Sequence, residues 1–243
     1  IKSDTTHKIT PNKLYELFLK TSFAMANQDW RHYLNGCLFE KTGSSINMVA
    51  TDAHRLAIYK SNLEGEGDFT GIVPRKTVIE LMKILPKQED EIEFYINSNN
   101  IVFMSKKFTF KSKLIDGNYP NYNQVVPQGE GSKITFNRKN MLDSLSRVSV
   151  LTSEKFKGVK LKTESGVLDI SAHNPDQESA EEKLDVTSTG NEFDIAFNVN
   201  YLKEVLGTID EEEISLISFG SDKSALVESG DSNQVLVLMP LLL

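Results

Sequence analysis

The stretch Ile72-Val73-Pro74-Arg75-Lys76-Thr77-Val78-Ile79-Glu80-Leu81-Met82-Lys83-Ile84-Leu85 reads as a short apolar strand, a proline cap and an amphipathic helix. Val78, Leu81, Met82 and Leu85 fall at i, i+3, i+4 and i+7, so one helical face is apolar. Three other segments begin the same way: Ile9-Thr10-Pro11-Asn12, Ile134-Thr135-Phe136-Asn137 and Ile195-Ala196-Phe197-Asn198. After the third, Met141, Leu142, Leu145 and Val148 repeat the spacing. Proline suits the first helical turn, where its missing N–H would have had no partner, and asparagine accepts free N–H groups with its side-chain oxygen. Helices are therefore expected over 11–26, 74–87, 137–150 and 198–208.

These starts recur at nearly constant intervals. Lys8-Ile9-Thr10 returns as Lys133-Ile134-Thr135, Leu34 to Leu38 as Phe156 to Lys160, and Pro74 as Asn198, with offsets of 125, 122 and 124 residues. Between the helices, alternating segments such as Leu38 to Glu40, Ile46 to Thr51, Ile92 to Asn97, Ile101 to Phe103, Phe108 to Lys113, Val159 to Lys162 and Val167 to Ala172 read as antiparallel strands with one buried face. The expected fold is α+β: two tandem duplicated domains, each with two helices on one side of antiparallel sheets. Val126-Pro127-Gln128-Gly129-Glu130-Gly131 is suited to a linker, which gives domains of 1–127 and 128–243.

At 243 residues, with 39% hydrophobic and 25% charged residues, the chain has the composition of an ordinary folded protein. No apolar run approaches the roughly 20 residues of a membrane-spanning helix, so no membrane association is expected. The first residue is Ile1, without an initiator Met or a signal sequence, and the chain reads as a fragment whose upstream part is missing. One cysteine, Cys37, and four scattered histidines supply neither a disulfide nor a metal-ligand cluster. No metal or cofactor is expected, and a reducing, cytoplasmic setting fits.

The net charge of −7 argues against a nucleic-acid binder, but its distribution does not. The four helical segments together carry +6, leaving −13 on the rest of the chain. Should the four helices share one surface, that surface is basic on an acidic body.

Val49-Ala50-Thr51-Asp52-Ala53-His54-Arg55-Leu56-Ala57 raises an alternative. Asp52 and His54 could form the acid/base pair of a hydrolase, although no nucleophile accompanies them and no phosphate-binding loop or nucleophile elbow occurs. A further alternative is a duplicated α+β interaction domain unrelated to DNA.

This run resembles the Thr-Asp-Gly-His-Arg-Leu motif of the bacterial beta sliding clamp family, the processivity subunit of the replicative polymerase. Other stretches agree in order and spacing: Met25 to Asp29 with Arg31 to Gly36, Val73 to Lys76 with Ile79 to Leu81, Ser112 to Gly117, Tyr119 to Tyr122, Glu154 to Val159, Asn174 to Glu178, Phe197 to Val199 with Tyr201, and Met239-Pro240. The resemblance implies a toroid. In that family three similar domains form a subunit, each with two helices facing a central hole, and two subunits close a homodimeric ring on duplex DNA. The first domain is missing here, and because the family's interface pairs first with third domains, this chain is expected not to close a ring. A non-catalytic role in DNA replication follows.

The resemblance also implies sites. Arg75, Lys76, Arg138, Lys139 and Arg147 are expected nearest the DNA, with Gln28, Arg31, His32 and Tyr33 as a further loop contact; the plain alternative is a surface turn anchored by a buried Trp30. In the family, polymerases, the clamp loader and repair proteins dock linear peptides in a groove between the second and third domains. Carried over, one pocket would use Thr51, Ala53, His54, Arg55, Leu56, Pro120, Gln124 and Val125, and a neighbouring one Leu34, Asn198, Tyr201, Ser224, Val237, Met239, Pro240 and Leu241. Three departures stand out. Ala53 replaces the usual Gly, so positive φ is expected to be less accessible there; Gln124 replaces a common basic residue, and the chain ends in Met239-Pro240-Leu241-Leu242-Leu243.

Overall fold

The computed structural model describes residues 5–152, 157–176 and 178–242. Glu154, Lys155, Phe156, Gln177 and Leu243, which belong to the repeats and motifs above, lie outside the described residues. The chain divides into two compact units between Asn121 and Tyr122.

The first unit runs β1 (His7–Ile9), α1 (Pro11–Leu19), β2 (Gly36–Thr42), β3 (Ser45–Thr51), β4 (Arg55–Asn62), β5 (Phe69–Pro74), α2 (Arg75–Ile84), β6 (Ile92–Ile96), β7 (Asn100–Met104) and β8 (Thr109–Lys113). Its strands pair antiparallel in the orders β1-β6-β7-β8 and β4-β3-β2-β5. The second unit runs β9 (Ser132–Asn137), α3 (Arg138–Val148), β10 (Gly158–Glu164), β11 (Val167–His173), β12 (Ser179–Asp185), β13 (Thr187–Thr189), β14 (Asp194–Asn198), α4 (Val199–Gly207), β15 (Glu213–Ser218), β16 (Ala225–Glu228) and β17 (Gln234–Leu238). Its orders are β9-β15-β16-β17, with β13 on the outer side of β9, and β12-β11-β10-β14. Strand for strand, this is the first unit's arrangement plus β13. The duplicated α+β fold is therefore present, and every strand named from the sequence forms.

A shared device fixes where the helices start. The first helical N–H of α2, at Arg75, donates to the Asn35 carbonyl at 2.9 Å; that of α3, at Arg138, donates to Glu212 at 2.7 Å; that of α4, at Val199, donates to Lys157 at 2.8 Å. In α1 this position is Pro11, which has no N–H to donate. The side chains of Thr10, Asn137 and Asn198 cap their helices by accepting N–H groups. Pro74 itself stands before α2 rather than in its first turn.

The helix expected over 11–26 stops at Leu19. The Thr21 hydroxyl donates back to the Leu17 carbonyl at 2.7 Å, and the chain turns into a short 3-10 segment at Ser22–Ala24. What remains buries Leu14, Leu17 and Phe18 completely, each contributing about 1.5–3 kcal/mol.

In the first unit's core, Phe39, Phe69, Phe94 and Phe103 pack with ring centroids 4.8–5.7 Å apart. His7 lies among them, 5.0 Å from Phe69, and burial, reinforced by Lys41, lowers its pKa. Lys41 is itself buried, and its ammonium donates to the carbonyls of Gly43, Gly65 and Gly67, tying two loops together. Burial pushes the Cys37 thiol up to about 12. Gly36 is required by packing, since a Cβ there would stand 2.2 Å from the Val73 carbonyl oxygen.

The stretch 126–131 lies within the second unit. Just before it, the Val125 carbonyl accepts from the Ser224 hydroxyl at 3.3 Å. At its end, a Cβ on Gly131 would stand 2.6 Å from Ile217. Among the described residues no helix is long and apolar enough to cross a membrane.

Candidate functional site

The run 51–57 is the turn of the β3–β4 hairpin. The Asp52 carboxylate accepts the backbone N–H groups of His54 at 2.9 Å and Arg55 at 3.1 Å, and its second oxygen meets the Arg55 Nε at 3.1 Å. The Arg55 guanidinium also donates to the Phe23 carbonyl at 2.8 Å and lies over the Phe23 ring. Asp52 is thus committed to shaping the turn, and the His54 side chain is exposed to solvent. This engagement of Asp52 with the backbone and with Arg55 argues against an acid/base pair. The expectation for Ala53 needs correction: it adopts φ +73°, the conformation glycine would favour. The turn's hydrogen bonds, including the Ala53 N–H to the Thr51 hydroxyl at 3.1 Å, hold it there.

The loop 25–35 is built around Asp29. Its carboxylate accepts the Arg31 backbone N–H at 2.8 Å and grips the Arg31 guanidinium at 3.0 and 2.9 Å. Those bonds, the guanidinium's first, hold the Asp29 carboxyl down to about 2. The Asn35 amide bonds both the N–H and the carbonyl of Asp29 at 2.9 Å. Because the Asn35 carbonyl also receives the Arg75 N–H, and Arg75 reaches the Met25 carbonyl at 3.4 Å, the loop is fastened to the start of α2. A buried Trp30 is overturned: the side chain is 82% exposed, with the Arg31 guanidinium 5.7 Å from its ring centre. The sequence gives no signal for this, since the exposure follows from bonds that consume its neighbours.

Gln28 and His32 in this loop are exposed, and Arg31 and Tyr33 half-buried. On the helices, Lys76, Lys139 and Arg147 are exposed and Arg75 and Arg138 half-buried. Their charges are not equivalent. Lys139 pairs with Asp143 at 2.7 Å, and Arg147 with Glu182 at 2.7 Å. Among the described residues Arg75, Lys76 and Arg138 carry no ion pair.

In the second unit, Asn198 caps α4 with its side chain and so places Tyr201 in the first turn. The Leu241 N–H donates to the Ala196 carbonyl at 2.7 Å, which lays the C-terminal segment beside the start of α4. Tyr201, Ser224 and Pro240 are half-buried, Met239 and Leu241 exposed, and Val237 fully buried on β17. Gln124 and Val125 are exposed. In the first unit, Ala53, His54 and Pro120 are exposed and Thr51 half-buried, while Leu34, Arg55 and Leu56 are buried.

Two family descriptions match the chain: "DNA polymerase III beta subunit, central domain" over residues 8–121 and "DNA polymerase III beta subunit, C-terminal domain" over residues 123–242. The beta sliding clamp of Pseudomonas aeruginosa is 40% identical over 236 residues, covering 96% of this chain and 64% of that protein. The crystal structure of the DNA polymerase III subunit beta from Pseudomonas aeruginosa superposes with a TM-score of 0.95 at 39% identity, covering 100% of this chain and 67% of that one. A structure of that species' sliding clamp bound to griselimycin gives a TM-score of 0.94 at 39% identity, covering 100% and 66%. The chain thus spans about two thirds of the length of the relatives it matches.

Proposed function

Because the chain belongs to the DNA polymerase III beta subunit family, matching its central and C-terminal domains, we propose that it serves as part of a DNA sliding clamp in the bacterial cytoplasm. Its action is topological. A ring threaded on duplex DNA holds other proteins there, and sliding needs only contacts to phosphates that exchange readily and carry no sequence information. Catalysis has no part in this.

The observation that carries the reading is the agreement of both units, in order and along their whole length, with two consecutive domains of one family. The uncompensated cations of Arg75, Lys76 and Arg138 support DNA contact, with Lys139, Arg147 and the loop residues Gln28, Arg31, His32 and Tyr33 adding to it. The test is binding of labelled duplex DNA across a salt series: log affinity falls with log salt, and the slope flattens when the cations are removed. Salt-independent binding, or none at low salt, defeats the proposal. On its own the 243-residue chain is expected to elute as an open species, since ring closure in the family pairs first with third domains.

A second activity is the docking of linear peptides from polymerases, the clamp loader and repair proteins. The proposed pocket residues are Thr51, Ala53, His54, Arg55, Leu56, Pro120, Gln124 and Val125, and Leu34, Asn198, Tyr201, Ser224, Val237, Met239, Pro240 and Leu241. Exposed Val125, Met239 and Leu241 supply apolar surface for the peptide's anchors, and Ser224 and Tyr201 supply polar contacts. The retained positive φ at Ala53 supports a turn of the family's shape despite the missing glycine. Fluorescence-polarisation titration with a peptide carrying a glutamine and bulky apolar residues is expected to saturate, and to weaken on Met239→Ala.

A further inference from the structure

Trp30 stands 82% exposed on a loop that has little freedom to move. A tryptophan offers roughly 150–250 Å² of contact surface, and an uncovered one normally belongs to an interaction. Its neighbours indicate which kind. Gln28, Asp29, Arg31 and His32 are all polar, so a partner that needs a broad apolar patch finds only one ring here. The Asp29 charge is spent on Arg31, through three bonds of 2.8–3.0 Å. Beyond it, the loop is fastened through Asn35 to Arg75, and Arg75 and Lys76 carry positive charge that no carboxylate neutralises among the described residues. A single exposed aromatic face, on a loop fastened to the start of the helix that carries those cations, is complementary to an unstacked nucleobase attached to its phosphates.

From this arrangement we infer that Trp30 is a stacking platform for an unpaired base of single-stranded DNA, held in place by the Asp29–Arg31–Asn35 network. The inference rests on the reading that this unit faces DNA. It adds a residue to that reading and a preference for strand that is not base-paired. Arg31, held by the Asp29 carboxylate, keeps its guanidinium 5.7 Å from the ring centre.

Trp30 is the only tryptophan in the chain, so its intrinsic fluorescence reports the contact directly. Titrating the 243-residue chain at low salt with a single-stranded oligothymidylate is expected to quench the emission to saturation, while a blunt duplex of equal length leaves it nearly unchanged. Trp30→Ala is expected to weaken the labelled single strand about five- to hundredfold and the labelled duplex by less than about twofold, with Trp30→Phe between. Single-strand binding with unaltered emission, and with Trp30→Ala as tight as the parent, overturns the inference. Duplex binding that then still weakens on Arg75→Ala leaves the DNA reading intact. If neither nucleic acid binds, both fall. Quenching by a partner peptide but not by the oligonucleotide assigns the ring to a protein contact and overturns the inference too.

Discussion

The Asp52 carboxylate both caps the hairpin turn at the His54 and Arg55 backbone N–H groups and pairs with the Arg55 guanidinium at 3.1 Å, leaving Ala53 between them at φ +73°. A non-glycine residue in the left-handed region costs about 1 kcal/mol. Ala53→Gly is therefore expected to raise stability by a few tenths to about 1 kcal/mol, because relief of this strain is partly offset by the greater freedom of glycine in the unfolded chain. Urea denaturation measures it; a loss of stability would show that the turn is not strained.

Lys41 is a buried cation whose ammonium, among the described residues, is satisfied by the carbonyls of Gly43, Gly65 and Gly67. Lys41→Met keeps the stem and removes the donors, which leaves loop carbonyls to find water. A loss of about 2–4 kcal/mol is expected in chemical denaturation. The loops 43–44 and 63–68 should also exchange their amide protons faster.

His7 has a lowered pKa in the folded protein, mainly through burial among phenylalanine rings and secondarily through Lys41. The unfolded chain therefore takes up a proton more readily. Above the unfolded value of 6.5 both states are neutral and His7 has no influence. As pH falls below 6.5, the unfolded state gains protons first and stability declines, levelling off only beneath the folded value. Melting temperature against pH should show this decline, and His7→Phe should reduce it.

Among the described residues, Arg75, Lys76 and Arg138 differ from Lys139 in having no carboxylate to give up. Replacing any one of the three with Ala is expected to lower the salt slope of duplex binding by about one. Lys139→Ala is expected to change it less, since its ammonium must first leave Asp143. Equal effects at all four positions would remove the distinction.

The fold was legible because the repeated strand–cap–helix pattern speaks through local chemistry: Asn137 and Asn198 cap the helices they were expected to cap. The end of α1 was not, because its periodicity continues while the Thr21 hydroxyl competes for the Leu17 carbonyl. Ala53 misled for a related reason: residue type disfavours positive φ, but the surrounding bonds impose it. Trp30 misled more strongly, as hydrophobicity predicts burial, whereas Asp29, Arg31 and Asn35 bond with one another and leave the indole outside. Which cations already have a partner is equally invisible in sequence, since Glu182 lies on β12, far along the chain from the Arg147 of α3 that it neutralises.

Cys37 is the chain's one native thiol, and its seat at 0% exposure, with ionisation pushed up to about 12, makes it inert to reagents that attack thiolates at neutral pH. For labelling chemistry the chain is expected to behave as though it had no cysteine. A single cysteine introduced at an outward position, such as Val150, can thus be coupled to a spin label or dye without first engineering the native one away. Distances and encounters can then be followed in a chain that keeps its own core.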